Sequence, residues 1–156
     1  MKKESRISMV DITEKKDVIR KAIAEGIITL KKETIQRIRN GQIKKGDVLS
    51  AAKLAAINGI KKTSDLILLA HPILITEIQV SIEINDDESH LKSTVTVRSL
   101  GKTGVELEAV MGVMISLLTI FDMCKYLEKN EKGQYGTTDI SDIRVIEKLK
   151  LEGFSK

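Results

Sequence analysis

Asp122 and Lys125 stand three residues apart in TIFDMCK, residues 119–125, directly behind the most apolar part of the chain. On a helix this spacing puts both side chains on one face. They can be an exposed helix-end ion pair, which contributes little. They can also be a carboxylate and an ammonium that pass protons to and from a substrate. Thirteen uncharged residues, Ala109 to Phe121, precede Asp122, and Phe121 and Met123 flank it. That setting predicts a desolvated carboxylate with a displaced pKa. Spacing alone leaves both readings open.

Other candidates are individually weaker. GKTG at 101–104 has the end of a phosphate loop, but Thr96 stands where that loop needs its first glycine. A tight turn between strand and helix fits better, and backbone N–H groups at a helix start still suit an anion. Glu106 and Glu108 follow the turn. Residues two apart on a helix point about 200° apart, so they share a site only if the chain is extended there. Otherwise they are favourable charges at a helix N-terminus. His71, within LLAHPIL, is either a hydrogen-bonded core histidine or a ligand; His90 follows an acidic turn and is expected at the surface. No paired histidines and a single cysteine, Cys124, give no metal site. Of the pairs Lys31-Lys32, Lys44-Lys45 and Lys61-Lys62, only Lys45 is distinctive, because it precedes Gly46 and the helix-capping Asp47.

The elements that must position these residues follow from periodicity. Asp17 to Leu30 is ambiguous, since Ile19, Ile23 and Ile27 suit a strand or a helix face. Thr34 to Asn40 reads as a short helix. A second helix starts at Asp47, carries Val48, Ala51, Leu54, Ala55 and Ile57, and should stop at Asn58-Gly59. Ile78 to Ile84 and Leu91 to Val97 alternate with period two around NDDES, predicting an antiparallel hairpin with one buried face. A long helix is expected from Glu106 to Lys129, apolar on most sides. Ile143, Val145, Leu149 and Leu151 form a closing strand interrupted by Glu147. The fold class is α+β, a ferredoxin-like antiparallel sheet with helices packed on one face. A helix apolar nearly all round needs more cover than one sheet offers, which predicts oligomerisation.

The totals set limits. With 156 residues the chain fits one domain, read as a flexible segment 1–16 and a single catalytic domain 17–156. A net charge of +4 mildly favours anionic ligands but falls short of a nucleic-acid footprint. Two Phe, two Tyr and no Trp leave little to stack on unpaired bases. The opening residues have no signal-like apolar core, and the longest uncharged stretch is too short for a membrane span of about 20 residues. A cytoplasmic protein with neither membrane nor nucleic acid as partner is expected.

Four stretches occur in order: MVDIT, KKGDVLSAAKLAAINGIKKTSDLILLAHPIL, GKTGVELEAV and LTIFDMCK. Together they resemble the molybdenum cofactor biosynthesis protein C family, the cyclic pyranopterin monophosphate synthases, over about residues 9–150. The resemblance implies a ferredoxin-like subunit in a homohexamer, a trimer of dimers with active sites at dimer interfaces. It implies a lyase acting on 3',8-cyclo-7,8-dihydroguanosine 5'-triphosphate. The product would be cyclic pyranopterin monophosphate, with pyrophosphate released. It carries catalytic roles to Lys45, Asp122 and Lys125, and substrate-pocket roles to Arg20, Lys61, His71, Glu106, Glu108 and Met123. No cofactor is implied, although Mg2+ escorting the triphosphate is compatible. The implied roles fit the chemistry. A carboxylate between two lysines can exchange protons, cations can offset a pyrophosphate leaving group, and glutamates can accept from the N–H edge of a guanine-derived ring.

Two departures stand out. The family tail reads Lys-x-Gly-Gly-Lys-Ser-Gly where this chain has KLEGFSK, with Glu152 and Phe154 replacing a glycine and the second lysine. Ala70 also replaces the cysteine often found before His-Pro. The rival reading is a non-catalytic ferredoxin-like module for nucleotide or RNA, with Glu106 and Glu108 poorly suited to a phosphate-tracking groove.

Overall fold

A computed structural model describes residues 6–85, 87 and 90–151. Most of the NDDES turn and the divergent residues from Glu152 to Lys156 lie outside the described residues. The element order is β1 (Val18–Thr29), α1 (Lys32–Arg39), α2 (Val48–Lys61), α3 (Thr63–Leu66), β2 (Ile75–Asn85), β3 (His90–Gly101), α4 (Glu106–Glu128) and β4 (Asp139–Leu151). The strands form one sheet in the order β2-β3-β1-β4, with every neighbouring pair antiparallel. Helices α1 to α3 connect β1 to β2, and α4 connects β3 to β4. This is the ferredoxin-like α+β arrangement the periodicity predicts.

The ambiguous stretch is strand β1. Ala22, Ala24, Gly26 and Ile28 alternate toward the buried core, while Ile19, Ile23 and Ile27 lie on the other face. Isoleucines four apart satisfy both a period of two and one near 3.6, so they could not decide between strand and helix. The small residues on the core side decide it. A Cβ at Gly26 would lie 2.8 Å from Val113 Cγ1 and 2.9 Å from Ile143 Cγ1. Both α4 and β4 therefore approach the backbone there.

Helix α2 does not stop at Asn58-Gly59; it continues to Lys61. Gly59 is interior because a Cβ there would sit 2.7 Å from Ile115 Cγ1, and one at Gly112 would sit 2.7 Å from Ile60 Cδ1. The two glycines let α2 and α4 pack closely, and contact overrides the usual stop signal. The helices run antiparallel: the end of α2 meets Gly112 and Ile115, while the loop before α2 reaches Asp122 and Tyr126.

Strand β4 begins earlier than expected and shifts register, so Val145 opposes Ala24 but Glu147 opposes Ile23. The shift puts Leu149 opposite Lys21, on the face away from the helices, so the expected single apolar face does not run the length of the strand. Glu147 pairs with Lys21 there, and Glu25 joins Lys92 and Arg144 on the same face. Helix α4 is long and apolar enough to cross a membrane by length and composition, but half of its most apolar window is buried. It is the core helix of the sheet–helix sandwich. Leu107, Met114 and Leu118 remain exposed along one line of it.

Candidate active site

Lys45 comes from the loop before α2, where Gly46 adopts φ 106°, a left-handed conformation that glycine takes without steric cost. Asp47 then caps α2, its carboxylate accepting from the Ser50 N–H at 3.1 Å. From this loop Lys45 Nζ reaches across to α4. It donates to Asp122 Oδ2 at 2.8 Å and to the Asp122 carbonyl at 3.1 Å. Lys125 Nζ lies 3.0 Å from Asp122 Oδ1. One carboxylate is thus held between two ammonium groups.

Lys45, followed by Lys125, holds the Asp122 carboxyl below its ordinary range. Asp122 in turn raises Lys125. At neutral pH the resting cluster is therefore an ionised carboxylate beside charged Lys125. The expected desolvation is corrected: the Asp122 side chain is 53% exposed in the single chain. The run of apolar residues does not enclose it, because Asp122 lies on the exposed line of α4 while its neighbours Met123 and Cys124 turn into the core. Met123 is 7% exposed and presents no open surface to a ligand within one chain.

The remaining predicted residues gather at the other end of the helices. Arg20 on β1 donates from Nη2 to the Lys102 carbonyl at 3.2 Å, bracing the GKTG turn. His71 donates from Nε2 to the Val10 carbonyl at 2.8 Å, and since a carbonyl only accepts, the proton is on Nε2. It is a half-buried tether for the N-terminal segment, not a core histidine. Lys102 Nζ donates to the Thr13 carbonyl at 2.8 Å, holding the same segment. Lys61 is exposed in the last turn of α2.

Glu106 and Glu108 both lie in the first turn of α4, and they differ sharply. Glu106 is half-buried and pairs with Lys148 of β4. Burial pushes its carboxyl up, but Lys148, its own backbone N–H and Arg20 outweigh that and leave it below the ordinary range. Glu108 is 3% exposed, and its Oε2 has no hydrogen-bond partner. Desolvation, assisted by the nearby Glu106 charge, raises it. Lys148 escaped sequence reasoning. Its only signal is register, which sets it opposite Ala22, on the core-facing side of β1.

The two groups do not meet within one chain. Glu106 and Asp122 are sixteen residues apart on one helix, about 24 Å at 1.5 Å per residue. The structure brings Lys45, Asp122 and Lys125 together and leaves Arg20, Lys61, His71, Glu106 and Glu108 near the opposite end. Among the described residues no cluster of His, Cys, Asp and Glu could hold a metal ion.

A ferredoxin-like chain with an ionised carboxylate between two lysines can exchange protons with an anionic ligand and offset its charge. The chain belongs to the MoaC family, whose model matches residues 9–150. It is 50% identical over 149 residues to a probable cyclic pyranopterin monophosphate synthase of Pyrococcus furiosus, covering 96% of this chain and 94% of that one. It is 51% identical to proteins of the same name from Methanosphaerula palustris, covering 93% of each chain, and Sulfolobus acidocaldarius, covering 93% of this chain and all of that one.

Proposed function

We propose that this protein is a cyclic pyranopterin monophosphate synthase of molybdenum cofactor biosynthesis. In this reading it converts 3',8-cyclo-7,8-dihydroguanosine 5'-triphosphate to cyclic pyranopterin monophosphate and releases pyrophosphate. The observation that supports it most is the convergence of Lys45, Asp122 and Lys125 in a chain so similar to proteins bearing that name.

The conversion opens a purine-derived ring by hydrolysis, closes the pterin and forms a cyclic phosphate. Asp122, ionised at neutral pH, accepts protons, and the lysines beside it donate them. Arg20, Lys61 and His71 offset the triphosphate charge. Glu106 accepts from the N–H edge of the base, while Glu108, on a helical turn that sets it about 200° from Glu106, is buried within one chain. Met123 serves by packing, since its side chain is buried in the core. No resident cofactor takes part, and Mg2+ arriving on the triphosphate would be part of the substrate.

A working site needs both ends of α4, and a second copy can supply the missing end. The exposed residues Leu107, Met114 and Leu118 lie on the same helix line as Asp122. Two such helices paired antiparallel about a two-fold axis near Met114 would bring Asp122 of one close to Glu106 of the other. Midway between 106 and 122 is 114. Such an isologous contact also buries the apolar stripe, and three dimers would complete the homohexamer. Mixing Asp122→Asn and Glu106→Ala subunits tests the arrangement. Partial recovery of pyrophosphate release in the mixture supports a shared site, and no recovery excludes it.

A further inference from the structure

Lys45 sits in a four-residue turn, Ile43 to Gly46, that three contacts hold. The Ile43 side chain is 5% exposed and anchored in the core. The Gly46 N–H closes the turn on the Ile43 carbonyl at 3.0 Å. The Lys44 N–H donates to the phenolic oxygen of Tyr126 at 3.1 Å, and the Lys44 ammonium lies 5.6 Å from the centre of the Tyr126 ring. Of these, the last joins the backbone of the turn to the helix that carries Asp122 and Lys125, beside the side-chain contact of Lys45 with Asp122.

Tyr126 is four residues beyond Asp122, so both side chains project from one side of α4. Helix α4 therefore grips the loop twice, through Asp122 at the Lys45 side chain and through Tyr126 at the Lys44 backbone. A lysine side chain has four flexible bonds and loses much entropy when fixed. Fixing its backbone beforehand lowers that cost, and a misplaced catalytic group loses rate steeply. The ring stays fixed because it packs, half-buried, against the core.

We propose that Tyr126 is a positioning residue for the proposed reaction: its hydroxyl pins the Lys44–Gly46 turn so that Lys45 stays against Asp122. It touches neither substrate nor reacting atoms. The inference rests on the functional reading above for its catalytic consequence, but the tether itself is independent of which reaction follows.

Tyr126→Phe tests it, because it keeps the ring under the Lys44 ammonium and removes only the acceptor. The expected melting temperature falls by about 2–4 °C at most, as for one net hydrogen bond in a chain of this size. Carbon-13 NMR titration of the Asp122 carboxyl should show its pKa moving up toward the ordinary range as Lys45 loosens. With the cyclised triphosphate as substrate, kcat should fall about tenfold while KM changes less than about twofold, because the substrate-binding cations are untouched. An unchanged Asp122 titration overturns the tether, whatever happens to rate. A shifted titration with unchanged kcat overturns the positioning role. If the unaltered protein releases no pyrophosphate, the functional reading fails, and the titration alone still decides whether Tyr126 holds the turn.

Discussion

Lys45 Nζ lies 2.8 Å from Asp122 Oδ2 although 77 residues separate them in the chain. The contact joins the loop that opens α2 to the last turns of α4, and Lys125 completes it from the helix itself. Both lysines are thereby committed to one carboxylate. Replacing Lys45 by Ala should lower kcat by about a hundredfold or more, as expected for loss of a proton-transferring group. Lys45→Arg should not restore it, since a planar guanidinium presents its donors in a different geometry. Single-turnover measurements on both variants check this, and a fully active Lys45→Ala would remove that lysine from the chemistry.

Glu108 makes an opposite kind of prediction. Its carboxyl is raised by burial, with one oxygen unpaired. The folded state therefore binds its proton more tightly than the unfolded state does. Its contribution to stability is fully present below the unfolded value of about 4.5 and is lost as pH rises through the raised folded value. Glu108→Gln, neutral at every pH, should raise the melting temperature at pH 8 and change it little at pH 4. Thermal melts at the two pH values read the difference directly, and an equal effect at both would contradict it.

The helix crossing depends on two glycines. A methyl group at Gly59 meets Ile115, a β-branched side chain with little rotamer freedom, at 2.7 Å. Gly59→Ala gains helix propensity of about 1 kcal/mol but overpacks the crossing by about 1–3 kcal/mol. Net destabilisation is expected, with a melting temperature lowered by several degrees; an unchanged or higher value would show that α2 and α4 can separate freely.

Leu118 is 54% exposed one turn before Asp122. If a second copy covers it, Leu118→Glu should place a charge in an apolar contact and split the assembly. Sedimentation should show smaller species, and pyrophosphate release should fall with the assembly. A variant of unchanged size and activity would mean that the α4 stripe is not the contact.

Much of the fold was legible because its signals are local. The alternation of β2 and β3 and the long apolar run of α4 each reflect one period over many residues. The misses have non-local causes. Gly59 reads as a helix stop until Ile115 is known to press on it, and the phase of β4 changes at a register shift that only its pairing with β1 reveals. The candidate site was legible through its motifs rather than its geometry. Nothing in the spacing of DMCK tells that Lys45 arrives from 77 residues away, or that Asp122 stays exposed at one end of a helix whose other end holds Glu106. Lys148 and Tyr126 carried no motif. One appears through strand register, the other through a backbone hydrogen bond.

If Asp122, held between Lys45 and Lys125, drives conversion of the cyclised guanosine triphosphate, loss of its charge must nearly stop the reaction. The most direct measurement incubates the purified protein and its Asp122→Asn variant with 3',8-cyclo-7,8-dihydroguanosine 5'-triphosphate, following pyrophosphate and the cyclic phosphate product together. The unaltered protein should form both in equal amounts. The variant, with the same size in sedimentation, should be slower by a factor on the order of a thousand. Absence of pyrophosphate from the unaltered protein, or full activity in Asp122→Asn, would contradict it.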